Sequence, residues 1–455
     1  MKRKKGSSSF GILFALILII GGALYVYNSS MFERKLPSVV LKNSGYWNLK
    51  KPLQLEMNDD SGIKSYKVVL KAKSGSTTLY YEQLLTPQES ITLNIAPPRS
   101  AYAMKDKVVK IVVEAVDDSK WNLLNGNVAT KEFLIKIDKK RPNLNTIVNS
   151  YKISRGGSAL VIFKADDENL KDLYIKTSFG KKFKVEPFYK DGYYISLLAW
   201  PIKENNFRAT VIATDYAGNV AKAYVPLYLK QRTYKVSKIN ISDRFLKGKI
   251  AQLAGDFAQT QGVDDPIEQF KIINEDVRAK NEELIHKITS KVSDEMISDF
   301  KINKMYPLKN AQVVASFGDH RKYYYNGQYI SQSYHLGLDL ASNAMAAIKT
   351  QNSGTVVFAD YNGLYGNMPI IDHGLGLYTL YGHCSSISVS SGDEVNKKET
   401  IANTGKTGYA MGDHLHFGVL VQGIEVRPQE WMDRTWMKLN INNIIKSAKE
   451  IIDKN

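Results

Sequence analysis

Hydrophobic and polar residues follow different periods in successive parts of the chain. The uncharged run FGILFALILIIGGALYVY occupies residues 10–27, and as a helix rising about 1.5 Å per residue it would be roughly 27 Å long. Short runs in which apolar residues alternate with polar ones follow, such as residues 66–70 and 108–113, and they are separated by Gly, Ser, Asn and Pro. Helical spacing then replaces this alternation before short β-runs return.

These patterns predict a mainly β, multidomain protein with a helix at each end. At 455 residues the chain exceeds what one hydrophobic core usually supports. The predicted segments are a cytoplasmic basic stub with a transmembrane anchor (1–30), two immunoglobulin-like β-sandwich modules (39–140 and 141–235), a helical connector (241–304), a β-rich domain (305–432) and a C-terminal amphipathic helix (433–455).

The two sandwich modules look like tandem copies. Residues 58–64 (NDDSGIK) are echoed by residues 165–171 (ADDENLK), and residues 113–117 (VEAVD) by residues 211–215 (VIATD). The paired aspartates favour turn capping or a solvated surface over calcium binding, because acidic pairs in turns are common without a metal.

The helical connector has a clear predicted starting point. Asp265 can accept hydrogen bonds from backbone N–H groups, Pro266 suits the first helical position, and Glu268 stands where the partner of a capping box belongs. The connector also carries His286, which has no acidic or histidine partner at ligand spacing and is predicted to be an ordinary surface residue.

The N-terminal run favours an uncleaved membrane anchor. It is longer than the apolar core of a typical secretory signal, and no clear small-x-small cleavage site follows it. Four basic residues at positions 2–5 place the N-terminus in the cytoplasm by the positive-inside rule. We therefore expect a single-pass protein of the cytoplasmic membrane whose later domains are extracytoplasmic, periplasmic where a second membrane is present.

Charge and cysteine content remove several classes of function. Sixty-two Lys and Arg against 45 Asp and Glu give a formal charge of +17, but the lysines are scattered and no arginine-rich helix with interleaved aromatics occurs. The pattern predicts a solvated surface and no nucleic-acid binding.

Cys384 is the sole cysteine, which excludes an intramolecular disulfide and a four-thiolate zinc site. It is predicted to be a small buried residue, with a nucleophile as the alternative.

Candidate chemistry is concentrated near the C-terminus, because six of the seven histidines lie between His320 and His416. YHLGLD at residues 334–339 places His335 and Asp339 four residues apart, and HLH places His414 and His416 two apart. Even spacing in a β-strand puts side chains on one face, so each strand is predicted to present two polar groups to one site.

Two histidines and one aspartate are ligands that Zn²⁺ accepts, and a set of three leaves the fourth position open. An open zinc ion acidifies bound water and polarises a carbonyl group. The remaining histidines can stabilise a developing oxyanion or transfer protons. The sequence therefore predicts a catalytic zinc site.

Four ordered motifs carry a family resemblance: YHLGLD at 334–339, YTLYGH at 378–383, GKTG at 405–408 and GDHLHF at 412–417. Over about 125 residues the chain resembles the lysostaphin/LytM-type zinc endopeptidases that cut peptidoglycan peptides. The resemblance implies a LytM-type catalytic domain in which His335, Asp339 and His416 bind one zinc ion, while His383 and His414 flank the water and the peptide carbonyl. It also implies scission of stem or cross-bridge peptides in cell-wall remodelling. The chain departs from the family in having Ser333 where a glycine is usual.

Other residues of this region are weaker candidates for a role in catalysis or substrate binding. His373 is predicted to support the sheet. His320 follows a segment like the family's groove edge, so it is a candidate for substrate contact and is not predicted to bind the metal. Three tyrosines, Tyr334, Tyr378 and Tyr381, are candidates for peptide contact, although aromatic residues in strands are more often core.

Two other classes of function stay open. One is a non-catalytic scaffold that binds the wall or recruits another hydrolase, against which all five functional residues argue. The other is a structural envelope protein with an unrelated histidine cluster. For a hydrolase, a regulatory envelope partner is a further possibility, and the sandwich modules either reach towards the wall or cover the groove.

Overall fold

The computed structural model describes residues 8–42, 45–99 and 104–454. The predicted cytoplasmic stub, including the basic residues 2–5, lies outside these ranges. The chain divides into two compact units, each described here by itself. The first contains residues 1–142 with the short segments 169–171 and 214–220, and the second contains the rest. The domain boundaries given above stay predictions.

The first unit begins with the helix α1 (Ser8–Asn28). Its segment Phe10–Asn28 is long and apolar enough to cross a membrane, with a mean hydropathy of 2.4, and none of it is buried by the rest of the protein. A signal sequence passes the same test, so this helix is a candidate span.

A single sheet follows, in the order β1-β3-β5-β6-β2, with β4 paired to β3. Residues 66–70 and 108–113, predicted as strands, lie in β3 and β5, but β3 and β4 form a far longer hairpin than the short runs indicated. A sandwich consists of two sheets packed face to face, whereas the strands described here belong to one sheet. An immunoglobulin-like sandwich therefore stays a prediction for this module. The elements are β1 (Ser38–Leu41), β2 (Tyr46–Trp47), β3 (Leu53–Ala72), β4 (Gly75–Ile95), β5 (Val108–Asp117), the short helical turn α2 (Trp121–Leu124) and β6 (Val128–Ile137).

The second module contains two four-stranded sheets, β11-β10-β14-β15 and β12-β13-β9-β7, and a parallel pair of β8 with β16. Its core is built around Trp200 and Phe163, which are almost completely buried. The strands are β7 (Asn143–Asn149), β8 (Lys152–Ser154), β9 (Ser158–Asp166), β10 (Leu170–Thr177), β11 (Lys182–Phe183), β12 (Glu186–Pro187), β13 (Tyr193–Ala199), β14 (Ala209–Asp215), β15 (Val220–Tyr224) and β16 (Tyr228–Lys230).

The proposed repeat has a structural counterpart at the ends of β5 and β14. Asp117 accepts hydrogen bonds from the backbone N–H and the side-chain amide of Asn127, at 2.7 and 2.8 Å. Asp215 does the same with Asn219, at 2.8 Å for both. Each aspartate therefore holds an asparagine of the segment that follows its strand.

Helices follow β17 (Val236–Asn240), as the helical spacing predicts. The α5 start is confirmed in part: Asp265 caps it by accepting from the Ile267 N–H at 3.0 Å, and Pro266 is the first residue. Glu268 pairs with Lys271 at 3.2 Å. The helices are α3 (Asp243–Phe245), α4 (Ala251–Asp256), α5 (Pro266–Ile272) and α6 (Arg278–Thr289), with π-helical turns joining α3 to α4 and α5 to α6.

The β-rich domain is built on an antiparallel sheet in the order β18-β21-β29-β25-β24-β23-β27, with β30 paired to β29. Two smaller sheets flank it, β17-β19-β20 and β22-β28-β26. The strands are β18 (Gln312–Ala315), β19 (His320–Tyr325), β20 (Gln328–Tyr334), β21 (Leu338–Ala341), β22 (Ala347–Lys349), β23 (Gly354–Tyr361), β24 (Asn367–Asp372), β25 (Leu377–Gly382), β26 (Ser386–Ile387), β27 (Glu394–Val395), β28 (Thr400–Asn403), β29 (Leu415–Val421) and β30 (Ile424–Val426).

The C-terminal helices are α7 (Pro428–Met432), α8 (Arg434–Met437) and α9 (Asn443–Lys454). The apolar face of α9 packs on β7 and β9, so this amphipathic helix covers its own protein. One continuous hydrophobic core joins the second module, the β-rich domain and α9.

Glu430 lies where the second module meets the β-rich domain. Its carboxylate accepts a hydrogen bond from the Ser158 N–H at 3.0 Å and lies so close to Gly157 that a Cβ there would be 2.5 Å from it. Burial raises the pKa of Glu430 to about 7 from an ordinary value of 4.5, although the Ser158 bond and Arg427 oppose the rise.

We expect Glu430 to make stability fall as pH rises from 4.5 to about 7. Over that window the folded protein holds a proton that the unfolded chain has released, so the free energy of unfolding decreases with pH. Glu430→Gln removes the charge and should be more stable than wild type at pH 8, by roughly 2–3 kcal/mol. Thermal unfolding of both proteins at pH 5 and pH 8 measures this. Burial also raises the pKa of Glu186 to about 7, so part of the slope remains; identical slopes in both proteins would contradict the role.

Candidate metal centre and active site

Three side-chain atoms of the β-rich domain converge on one point. His335 Nε2 is 2.9 Å from Asp339 Oδ1 and 3.1 Å from His416 Nδ1, and His416 Nδ1 is 2.9 Å from the same carboxylate oxygen. All three residues are at least nine-tenths buried. The predicted metal ligands therefore form one compact cluster.

The strands bring two of the three together directly. Asp339 on β21 is the cross-strand partner of His416 on β29. His335, by contrast, lies between β20 and β21, so the expectation that one strand presents both His335 and Asp339 is wrong. Its position is set instead by a hydrogen bond from Nδ1–H to the Ser316 carbonyl oxygen at 2.9 Å, which leaves Nε2 facing Asp339.

The donor set suits zinc. Three ligand atoms around a tetrahedral zinc at about 2.0–2.1 Å would lie roughly 3.3 Å apart, close to the observed separations. Burial favours a neutral Asp339, but His335 and His416 hold its pKa well below the usual value, so the carboxylate is ionised. One carboxylate and two imidazoles leave a fourth position open, the arrangement of catalytic zinc sites.

His383 and His414 lie beside this cluster. Their ring centroids are 4.8 Å apart, and His414 Nε2 is 3.7 Å from Asp339 Oδ1. In each ring Nδ1–H donates to a carbonyl oxygen at 2.9 Å, that of Thr407 for His383 and that of Gly412 for His414. Burial, with the neighbouring His416 and His414, lowers the pKa of His383 to about 3, so this ring is neutral at ordinary pH.

The GKTG motif holds His383 in place. The Thr407 hydroxyl donates to the Cys384 carbonyl oxygen at 2.8 Å and accepts from the Asn367 N–H at 3.1 Å. The Thr407 carbonyl oxygen accepts the hydrogen bond from His383 Nδ1–H. Gly408 has a φ of +67°, and a Cβ there would be 2.4 Å from the Gly366 nitrogen. The loop can approach Gly366, the residue before β24, this closely because residue 408 has no side chain.

Gly337 allows a similarly close approach of the backbone beside the metal cluster. A Cβ on it would be 2.4 Å from His416 Nε2 and 2.9 Å from the Phe417 carbonyl oxygen. We expect Gly337→Ala to displace the His416 ring, to weaken zinc binding and to cost about 1–3 kcal/mol of stability. Zinc content and thermal unfolding measure the two effects. The matched control is Gly412→Ala, where a Cβ meets nothing within 4 Å; equal zinc content in both variants would contradict the argument.

The remaining histidines contact residues outside the cluster. His373 hydrogen bonds to the Ser353 carbonyl oxygen and to the Thr379 hydroxyl, which joins neighbouring strands. His320 stacks on Tyr334 with ring centroids 4.4 Å apart. His286 Nε2 is 2.8 Å from a Glu425 carboxylate oxygen, a partner remote in sequence.

Cys384 and two of the tyrosines belong to the interior. Burial raises the pKa of the Cys384 thiol to about 12, so it is a poor nucleophile at neutral pH. Tyr378 and Tyr381 are almost completely buried in β25, while Tyr334 borders the cleft. Ser333, the departure from the family pattern, lies within β20 with its hydroxyl 3.1 Å from that of Tyr323.

A cleft of about 440 Å³ opens over the metal cluster. It contains all five predicted residues and four that sequence reasoning missed: Arg278, Arg321, Tyr365 and Tyr409. Tyr365 packs edge-on against His416, with ring centroids 5.5 Å apart, and its carbonyl oxygen accepts from the His383 N–H. Two of the four had a local sequence signal: Tyr365 stands between Gly363 and Gly366, and Tyr409 directly follows the GKTG motif.

Residues 333–428 match the model of peptidase family M23. The chain is 35% identical over 94 residues to a DD-carboxypeptidase/endopeptidase Mpg of Neisseria meningitidis serogroup B, covering 21% of this chain and 22% of that protein. It is 33% identical over 98 residues to the murein hydrolase activator EnvC of Escherichia coli, covering 22% and 23%. The chain thus spans less than a quarter of the length of these relatives.

The chain is also similar to a solved structure. The catalytic domain of lysostaphin from Staphylococcus simulans is 26% identical, with a TM-score of 0.23, and the match covers 27% of this chain and 92% of that one. The family match begins two residues before His335 and contains Asp339, His383, His414 and His416. Residues 333–428 of this chain therefore form a domain of peptidase family M23.

Proposed function

We propose that this chain is a zinc metalloendopeptidase that hydrolyses peptide bonds in the stem or cross-bridge peptides of peptidoglycan. The observation that carries the proposal is the convergence of His335, Asp339 and His416, with His383 and His414 beside them in the same cleft. Hydrolysis is the common theme of the M23 family and of the relative named as a DD-carboxypeptidase/endopeptidase.

Each side chain has a role that its contacts support. His335, Asp339 and His416 would hold one zinc ion, which when bound supplies a Lewis acid for water and for the peptide carbonyl group. His383 and His414 both have Nδ1–H fixed by a carbonyl oxygen, so Nε2 is the atom left for substrate. In a site of this kind a neutral imidazole can accept the proton of the attacking water, or donate to the developing oxyanion and the leaving amine.

We further propose that α1 anchors the protein in the cytoplasmic membrane with the N-terminus inside and the M23 domain extracytoplasmic, facing the wall. The apolar segment Phe10–Asn28 supports an anchor, and the basic residues 2–5 support this orientation. A regulatory envelope protein is a possible partner, in line with the activator name of the EnvC relative.

That relative also favours a second candidate function, a non-catalytic activator of another wall hydrolase. The complete set of five polar residues in one cleft argues against it. Both candidates bind peptidoglycan, so turnover is what separates them.

The test is digestion of purified peptidoglycan by the zinc-loaded full-length protein in detergent. We expect soluble fragments whose masses correspond to hydrolysis of a peptide bond, and the masses identify the bond. No release of peptides with zinc bound stoichiometrically, by the wild type and also after removal of the N-terminal modules, would reject the peptidase and favour the activator.

A further inference from the structure

Two arginines from outside the M23 domain complete the cleft over the metal cluster. Arg278 is the first residue of α6, and Arg321 lies on β19. Both line the same cleft as His335, Asp339 and His416, although the M23 match begins at residue 333. Their placement depends on the connector and on the β19–β20 hairpin, so the family motifs give no role to either residue.

Arg321 is adjacent to the metal cluster but weakly engaged there. Its guanidinium is 3.9 Å from Asp339 Oδ2 and 3.7 Å from Asp319 Oδ2, and both distances exceed a hydrogen bond. The Asp319 carboxylate accepts instead from the Ser237 hydroxyl at 2.8 and 3.0 Å. A guanidinium has five N–H donors, and 24% of the Arg321 side chain is exposed in the cleft, so it can bind another acceptor.

Arg278 is held in a fixed position by Asn274. Its Nε donates to the Asn274 backbone oxygen at 3.1 Å and its Nη2 to the Asn274 side-chain oxygen at 3.0 Å. Asn274 is itself buried, and its amide donates to the Ser331 hydroxyl and to the Gln332 carbonyl oxygen on β20. These bonds engage Nε and Nη2, which leaves the donors of Nη1 for a ligand. The guanidinium is therefore preorganised by the strand that leads to His335.

Arg278, Arg321 and Tyr409 line the same cleft. The Arg278 guanidinium carbon is 5.9 Å from the Tyr409 ring centroid. Burial raises the pKa of Tyr409, and both Arg278 and Arg321 oppose that rise. Apart from Asp339, the acidic residue that lines this cleft is Asp413, whose carboxylate accepts from the Met345 N–H. Glu282 lies close enough to Arg278 to interact with it, and both line an adjoining groove together with Glu275.

We propose that Arg278 and Arg321 form a carboxylate-binding subsite, so that the preferred substrate is a peptide with a free carboxylate close to the scissile bond. The proposal rests on the peptidase function proposed above and adds a specificity to it. Guanidinium groups bind carboxylates through paired, charge-assisted hydrogen bonds, which lysine does not reproduce. In a wall peptide the carboxylate has two sources, the C-terminal carboxyl and an internal one.

The experiment compares three forms of a stem-peptide dimer: unmodified, amidated at the C-terminal carboxyl, and amidated at the internal carboxyl. Full-length wild type, Arg278→Gln and Arg321→Gln are assayed with zinc, and Arg244→Gln on the exposed surface of α3 is the charge-matched control. On the unmodified dimer each cleft variant should lose about 10- to 100-fold in kcat/KM, chiefly through KM. Amidating the recognised carboxyl should cost wild type a similar factor and should abolish the difference between wild type and variants.

Equal activity of wild type and Arg278→Gln on the unmodified dimer would overturn the proposal, as would equal losses on all three dimers. Zinc content is measured for each protein, because Arg321 lies near Asp339; if Arg321→Gln loses zinc, Arg278→Gln decides the result. Calorimetric binding of the three dimers gives an independent readout. If wild type cleaves none of them, the peptidase function fails, whereas weaker binding of one amidated form would still support the subsite.

Discussion

His414→Ala is expected to lose most of the turnover of peptidoglycan peptides while it keeps zinc and a folded structure. His414 Nε2 lies 3.7 Å from Asp339 Oδ1, beside the cluster formed by His335, Asp339 and His416 but not in it. Removing a group that stabilises or transfers charge in the transition state costs about 10²–10⁴-fold in kcat. Steady-state kinetics, zinc content and thermal unfolding of the variant measure the three properties separately.

The matched control is His286→Ala, which removes a histidine that pairs with Glu425 outside the cleft. We expect this variant to retain zinc and turnover. Near-normal turnover of His414→Ala would contradict its catalytic role. Loss of zinc from His414→Ala would instead make it a ligand and would require the three-residue site to be revised.

The sequence predicted which polar residues come together in the cleft better than it predicted the strands around them. The concentration of histidines near the C-terminus predicted one polar site, and the family resemblance assigned His335, Asp339 and His416 to the same metal ion. Strand parity is consistent with His414 and His416, which both approach Asp339 Oδ1. It failed for His335, because the chain leaves β20 at Tyr334 and enters β21 at Leu338, and periodicity of two residues does not reveal such a break.

The residues that sequence reasoning missed reach the cleft through contacts distant along the chain. Arg278 is placed by the packing of the connector on β20, and Arg321 by the pairing of β19 with β20 and β17. An arginine at the start of a helix has no local pattern that distinguishes it from a solvated one. The length of the β3–β4 hairpin was not predicted either. Its two strands are held by pairing with each other along their length, and the alternation of apolar and polar residues indicates only short parts of them.

The cleft's dependence on these segments affects how the role of the N-terminal modules can be tested. A protein trimmed to begin near Lys301 would lose Arg278, and it would also lose Lys203, which lines the groove adjoining the cleft. Lower activity of the trimmed protein would then reflect the missing cleft wall. Higher activity, in spite of that loss, would support the hypothesis that the N-terminal modules restrain the groove.

Asp339→Ala is expected to abolish stoichiometric zinc binding, and peptide hydrolysis with it. Asp339 Oδ1 is the atom that both His335 Nε2 and His416 Nδ1 approach at 2.9 Å, so the substitution removes the anionic ligand at the point where the three side chains converge.

Loss of a residue that only supports a ligand weakens metal binding 10- to 100-fold, so loss of the ligand itself should exceed roughly 100-fold. Elemental analysis of dialysed protein measures zinc content, and the rise of the thermal midpoint on adding zinc measures binding without any assay of activity. Asp413→Ala is the control for charge, because Asp413 lines the same cleft but does not belong to the cluster. It should retain one zinc ion per chain. Full zinc occupancy in Asp339→Ala would mean that the two histidines bind the metal without the carboxylate, and the assignment of the three-residue site would be wrong.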